Sequence, residues 1–181
     1  MHIKYVESEK IAKFIIKWKL LVSKYDLYFL YPPLTIVYTS PPMSEKMLKF
    51  VEIGQQNPPK RDKNSRKEDF NEIYSEFIKG KANEQSSRCS QCGVPFCQVH
   101  CPLSNNIPDW LKLTAEGRHE EAYQLSQSTN NMPEVCGRIC PQDRLCEGNC
   151  VIEQSGHGTV TIGSIEKYIT ETAWENGWVK P

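Results

Sequence analysis

Apolar residues recur at helical spacing in four stretches of the chain, and no stretch alternates between apolar and polar residues as a strand does. The pattern predicts helices at about 67–78, from Pro108 to before Gly117, at 119–127 and at 163–175. Proline suits the first turn of a helix, and Gly80 and Gly117 suit the ends of the first two. Residues 48–53 are predicted as a short strand or turn. The apolar faces are, in order, Phe70, Ile73, Tyr74 and Phe77; Ile107, Trp110, Leu111 and Ala115; Ala122, Tyr123 and Leu125; and Ile165, Tyr168, Ile169, Thr172 and Ala173.

Three segments differ in composition. Residues 1–42 are rich in Lys, Tyr, Ile and Leu and close on Pro41-Pro42, so we expect an extension outside the fold, with Met43 or Met47 as the natural start. The alternative is a genuine N-terminal helix that packs on the rest. Residues 43–85 are expected to form an irregular arm, and residues 86–176 a helical domain that contains every cysteine.

Charge and hydropathy argue against two classes of partner. Lys and Arg number 22, as do Asp and Glu, so no bulk charge would attract nucleic acid or anionic lipid. The apolar stretch 11–38 contains five charges, each costing about 2.5–3.5 kcal/mol at a bilayer centre, which disfavours a spanning helix. An amphipathic surface helix stays an alternative there. No secretory signal opens the chain, and we expect a cytoplasmic protein. The five charges are Lys13, Lys17, Lys19, Lys24 and Asp26.

Eight cysteines fall into two groups between residues 89 and 150. Thiolates are soft ligands that suit iron–sulfur clusters and zinc. A disulfide framework would need a secreted context. Zinc modules usually present paired CxxC knuckles, and only Cys89 and Cys92 form such a pair, so the spacing favours iron–sulfur clusters. The groups are Cys89-x2-Cys92-x4-Cys97-x3-Cys101-Pro102 and Cys136-x3-Cys140-Pro141-x4-Cys146-x3-Cys150.

The first group resembles the motif of bacterial two-cluster ferredoxins, in which the cysteine before proline ligates the other cluster. If the same crossing holds here, Cys101 leaves the first cluster and serves the second. A cysteine of the second group must then cross in the opposite direction, and Cys150 is placed to do so.

Longer motifs resemble the small (beta) subunit of bacterial NADPH-dependent glutamate synthase. They are PPKR at 58–61, the first cysteine group, IPDWLKL at 107–113, PEVCGRICPQDRLCEG at 133–148, TIGSIEKYI at 161–169 and the final Gly177-Trp178. The resemblance runs from about Leu48 to the C-terminus. Dihydropyrimidine dehydrogenase and the NADH-dependent ferredoxin:NADP oxidoreductases have the same cluster domain.

The resemblance implies an all-α domain of the alpha-helical ferredoxin type around two [4Fe-4S] clusters. Its ligand sets map onto Cys89, Cys92, Cys97 and Cys150 for cluster 1, and onto Cys101, Cys140, Cys146 and Glu166 for cluster 2. Glu166 also sits at the edge of an apolar helical face, where a carboxylate is costly unless it has a partner. Two alternatives stay open: Glu166 is a boundary residue satisfied by solvent or a lysine, and Cys136 is the fourth ligand of cluster 2.

The implied function is electron transfer from an NADPH-reduced FAD, through both clusters, to the glutamate synthase large (alpha) subunit, which makes glutamate from glutamine and 2-oxoglutarate. Members of the family continue into an FAD- and NADPH-binding domain, so this chain is expected to be a truncated N-terminal part. We expect it to have no catalytic residue of its own and not to be catalytic alone. The alternatives are the cluster domain of a related NAD(P)H-dependent reductase with another acceptor, and a zinc-stabilised interaction module.

A variant that begins at Met43 is expected to bind the same clusters as the full chain, because residues 1–42 lie outside the resemblance. The visible absorption spectrum and the iron content per chain measure this. A lower iron content in the shortened variant would show that the extension belongs to the fold.

Overall fold

The computed structural model describes residues 47–180, so the extension 1–42 and its predicted dispensability lie outside the described part. Residues 47–180 contain eight α-helices and no β-strand, which confirms the all-α prediction. A 3₁₀ helix, Lys49–Val51, comes before them. The helices are α1 (Ser65–Glu68), α2 (Lys79–Ser86), α3 (Phe96–Val99), α4 (Ile107–Ala115), α5 (His119–Gln127), α6 (Pro133–Ile139), α7 (Val151–Gln154) and α8 (Ile162–Glu175).

Helix α8 lies at the centre of the packing and contacts α2, α4, α5 and α6. Its residues Ile162, Ile165, Ile169 and Ala173 recur every three or four positions and are all buried, as the periodicity predicts. Trp110 of α4 is fully buried against this core. The core therefore sits among the three predicted helices α4, α5 and α8.

Those three helices confirm the sequence predictions closely. Pro108 lies in the first turn of α4, and Gly117, just after its end, has a φ of +78°, a conformation that glycine adopts without strain. The buried indole of Trp110 donates to Asn105 Oδ1 at 2.9 Å, which satisfies its polar atom.

The predicted helix at 67–78 is wrong. Helix α1 ends at Glu68, and the chain becomes helical again only at Lys79, so Gly80 begins a helix instead of ending one. Residues 73–75 pair instead with the backbone of residues 59–61, and this pairing outweighs the apolar periodicity. Arg61 N donates to Ile73 O, and Ser75 N donates to Pro59 O, both at 2.9 Å. The segment at 48–53 forms a 3₁₀ turn, so of the two forms predicted there the turn is confirmed.

Two sets of contacts fasten the arm to the helical domain. Leu48 N donates to Cys89 O at 3.0 Å, and Arg88 Nε donates to Ile53 O at 2.8 Å. Farther along, Arg138 of α6 forms ion pairs with Glu72 of the arm and Glu171 of α8. Each half of the arm therefore contacts a different face of the helical domain.

Helix α6, which the apolar pattern did not predict, packs more extensively on α8 than on any other helix. A Cβ at Gly137 would lie 2.8 Å from Lys167 N and 2.9 Å from Gly163 O, both backbone atoms of α8. Glycine is therefore required at this crossing. None of the helices between residues 47 and 180 combines the length and apolar character that crossing a bilayer requires.

Replacing Gly137 by Ala is expected to lower the free energy of unfolding by about 1–3 kcal/mol, because the added methyl group must push two backbones apart. Gly80→Ala is the matched control, since a Cβ there meets nothing within 4 Å, and it should stabilise α2 by about 0.4–1 kcal/mol. Urea unfolding followed by circular dichroism measures both. Equal effects of the two substitutions would contradict the close crossing.

Candidate metal centre

Four thiols from both cysteine groups lie together in the core beside α3 and α7. Cys89 follows α2, Cys97 lies in α3, and Cys150 is the residue just before α7. Cys89 and Cys150 are buried within the hydrophobic core cluster, and Cys97 packs against it. The pKa of Cys97 is raised to about 12, first by burial and then by like charge on Cys89, Cys150 and Cys92. The structure therefore brings Cys150 to the first group, as the crossing requires.

The loop between Cys89 and Cys92 is shaped by Gln91. Its φ of +51° turns the backbone sharply, and its Nε2 donates to Pro108 O of α4 at 2.7 Å. The same amide donates to Cys89 Sγ at 3.4 Å, and the Gln91 backbone N–H donates to that sulfur at 3.5 Å. Donors of this kind stabilise charge on a ligating sulfur.

A second group of donors lines a cavity of about 130 Å³ between α6, α8 and the loop after Cys140. Cys101 comes from the first cysteine motif, and Glu166 comes from the buried face of α8. Among the lining residues none is Lys or Arg. The ligand candidates in the cavity are Cys101, Cys136, Cys140, Cys146 and Glu166.

Glu166 is only 8% exposed, and burial raises its pKa to about 7. Asn130 Nδ2 donates to Glu166 Oε1 at 3.1 Å and opposes that rise. The amide is itself held in place, because Asn130 Oδ1 accepts from Met132 N at 3.0 Å. Lys167 pairs with Glu171 at 3.2 Å and with Glu72 at 3.9 Å, and not with this carboxylate. The side chain is therefore a buried carboxyl group positioned by an amide, and it faces four thiols.

Cys136, the alternative fourth ligand, lines the same cavity from within α6. Burial, and after it the neighbouring Cys136 thiol, raises the pKa of Cys140 to about 11. Burial likewise raises the pKa of Cys146. The cavity thus offers one donor more than the four that a cluster needs.

Sequence reasoning missed the residues that shape this cavity. Gln142 Nε2 donates to Cys136 O at 3.0 Å and lies so close to Gly163 that a Cβ there would clash with it. Glu147 Oε1 accepts from Gly163 N at 3.0 Å and so caps the N-terminus of α8. Asn130 is the third such residue. All three are polar residues in or beside loops, and their roles depend on contacts distant in sequence.

The donor chemistry fits iron–sulfur clusters. All eight cysteines are free thiols, and thiolates with one carboxylate are donors that iron accepts. Within the described range 47–180, no three His, Cys, Asp or Glu side chains converge as they would around a single ion. The fit therefore rests on the grouping and on the donor types.

Comparison with known protein families agrees with this chemistry. Residues 66–178 match the family described as dihydropyrimidine dehydrogenase domain II, 4Fe-4S cluster. The chain belongs to this family. It therefore carries a 4Fe-4S domain, and the predicted alpha-helical ferredoxin type of fold is confirmed.

The resemblance to glutamate synthase is confirmed as well. The chain is 71% identical over 138 residues to the glutamate synthase [NADPH] small chain of Azospirillum brasilense, covering 76% of this chain and 29% of that protein. It is 51% identical over 136 residues to the same subunit of Escherichia coli, covering 75% and 29%. The putative oxidoreductase AegA of Escherichia coli is 49% identical over 115 residues, covering 63% and 17%. The chain spans less than a third of the length of these relatives.

Glu166→Ala is expected to make the cluster in the second cavity labile, because a methyl group cannot ligate iron. Cys136→Ser is the matched control and should leave the iron content near that of the parent. Glu166→Cys should retain the iron and shift one reduction potential, because a soft thiolate replaces a hard oxygen. Iron analysis and redox titration measure these effects. Loss of iron in Cys136→Ser with none in Glu166→Ala would make Cys136 the fourth ligand.

Proposed function

We propose that the chain binds two [4Fe-4S] clusters and carries electrons between them. Cys89, Cys92, Cys97 and Cys150 hold cluster 1. Cluster 2 is held by Cys101, Cys140, Cys146 and Glu166. The main observation in support of this proposal is that each group of donors in the structure combines residues from both cysteine motifs.

When bound, each cluster accepts and releases one electron at a time. The chain's own residues hold the ligands and keep water away from them. Cys89 and Cys150 lie in the hydrophobic core, and Gln91 donates to Cys89 Sγ. Asn130 orients Glu166 at the second cavity. Cys97, a ligand of cluster 1, lies in α3, and Cys101, a ligand of cluster 2, lies in the short loop directly after it. This closeness in the chain supports a short path for electrons from one cluster to the other.

The wider role that we propose is that of the glutamate synthase small subunit. Electrons from an NADPH-reduced FAD would enter these clusters and leave to the large subunit, for glutamate formation in the cytoplasm. The identity to the two glutamate synthase small chains supports this proposal. FAD and NADPH are assigned to the part of those relatives that this chain does not span.

A second candidate is the cluster domain of a related reductase with another acceptor. The 49% identity to a putative oxidoreductase favours it, although over fewer residues than the match to glutamate synthase. Binding of the purified chain to a glutamate synthase large subunit distinguishes the two candidates. The zinc-module alternative has no support from a family described by its 4Fe-4S cluster.

Anaerobically prepared full chain is expected to contain about eight irons and eight sulfides, as two four-iron clusters require. Cys150→Ser should lose the cluster held by Cys89, Cys92 and Cys97, although Cys150 belongs to the second sequence motif. Cys101→Ser is the reciprocal control and should lose the other cluster. Iron and acid-labile sulfide assays, with electron paramagnetic resonance (EPR), measure this. Stoichiometric zinc without sulfide would overturn the proposal.

A further inference from the structure

Arg88 is a fully buried cation directly before the ligand candidate Cys89. Between residues 47 and 180 no Asp or Glu lies within ion-pair distance of it. An arginine stays protonated in proteins, so a full positive charge is buried here. A buried charge without a counter-ion costs several kcal/mol, and this one needs an explanation.

Backbone carbonyls satisfy the guanidinium. Nε donates to Ile53 O at 2.8 Å, and Nη2 donates to His157 O at 2.8 Å and Gly158 O at 2.9 Å. Nη1 donates to Thr159 O. These bonds satisfy the donors and orient the charge, but carbonyl dipoles do not neutralise it. They also join the arm to the loop that follows Cys150.

An anionic group at the first thiol group would supply a counter-charge that no carboxylate in ion-pair contact supplies. Four thiolates around a four-iron core leave a net negative charge, which grows by one on reduction. Arg88 adjoins Cys89 in the chain, and its charge interacts with Cys150 and, more weakly, with Glu153 of α7, which is not within ion-pair distance. A positive charge fixed in a low-dielectric interior stabilises an added electron far more than one in water does.

The second cavity has the opposite electrostatic character. Its lining contains no Lys or Arg, and the buried carboxyl group of Glu166 and the half-buried one of Glu147 interact electrostatically with Cys146. The two sites therefore differ in the charge that surrounds them, and a one-electron potential responds directly to such a difference.

We propose that Arg88 raises the reduction potential of the cluster held by Cys89, Cys92, Cys97 and Cys150, and so makes this cluster the preferred electron acceptor of the pair. In this step, one electron from an external reductant lowers the charge of the four-iron, four-sulfide core from 2+ to 1+. Arg88 keeps its proton throughout. This inference rests on the proposed two-cluster function and deepens it.

Two substitutions separate charge from hydrogen bonding. Arg88→Gln removes the charge, Arg88→Lys keeps it, and each loses some of the carbonyl bonds. Dithionite titration of the anaerobic full chain, followed by EPR, gives both potentials. The signal that disappears in Cys150→Ser identifies the cluster under test, and the other cluster serves as an internal reference.

We expect Arg88→Gln to lower the equilibrium constant for reduction of this cluster at least tenfold, which is about 59 mV for a one-electron couple. Arg88→Lys should stay near the parent, and the other cluster should move less in both variants. If Arg88→Gln holds no cluster, a parental potential in Arg88→Lys still supports the inference.

Three results would overturn the inference. They are equal potentials in the parent and Arg88→Gln, equal falls in both variants, and loss of this cluster from both variants. Loss of this cluster from both variants would mean that cluster binding requires the shape of the arginine side chain and not its charge. A parent chain without iron and sulfide would instead refute the proposed function itself, so the two failures are distinguishable.

Discussion

Helices α6 and α8 meet backbone against backbone at Gly137 and Gly163, and the second cavity depends on this contact. The close approach brings Cys136 and Cys140 on one helix opposite Glu166 on the other. Gln142 packs over Gly163 and Glu147 caps α8 at the same point, so the loop that contains Cys146 is fixed by the same crossing. A side chain at Gly137 would push the two helices and their donors apart, and one at Gly163 would displace the Gln142 amide.

Burial of ionisable groups is the second constraint on the site. The pKa values of Cys89, Cys97 and Cys140 and of Glu166 are raised chiefly by burial, which favours the protonated form of each group. Asn130 and Gln91 donate to the ligand atoms and reduce the cost of the charged forms. Metal bound by these groups would therefore displace protons, so that binding would depend on pH.

Interleaving of the two cysteine motifs joins both sites into one structural unit. Cys101 of the first motif lines the second cavity, and Cys150 of the second motif lies near Cys97 of the first. Cys89 and Cys150 belong to the same hydrophobic core as the buried residues of α4, α5 and α8, and Cys101 packs against it. The two groups of donors differ in their surroundings, because Arg88 interacts with Cys150 of the first group, whereas Glu147 and Glu166 interact with Cys146 of the second.

The amino-acid sequence by itself determined the three long helices, the all-α class and the donor types, because these follow from local periodicity and cysteine spacing. Helix α6 was missed, since its apolar residues are few and Pro133, Gly137 and Cys140 obscure the period. The prediction of a helix at 67–78 was wrong because backbone pairing between residues 59–61 and 73–75 outweighs a local apolar pattern. The tertiary structure alone brought Asn130 to Glu166 and oriented Arg88 against carbonyls some 70 residues away. Buried polar groups must find hydrogen-bond partners, and packing decides which distant backbone or side chain is within reach.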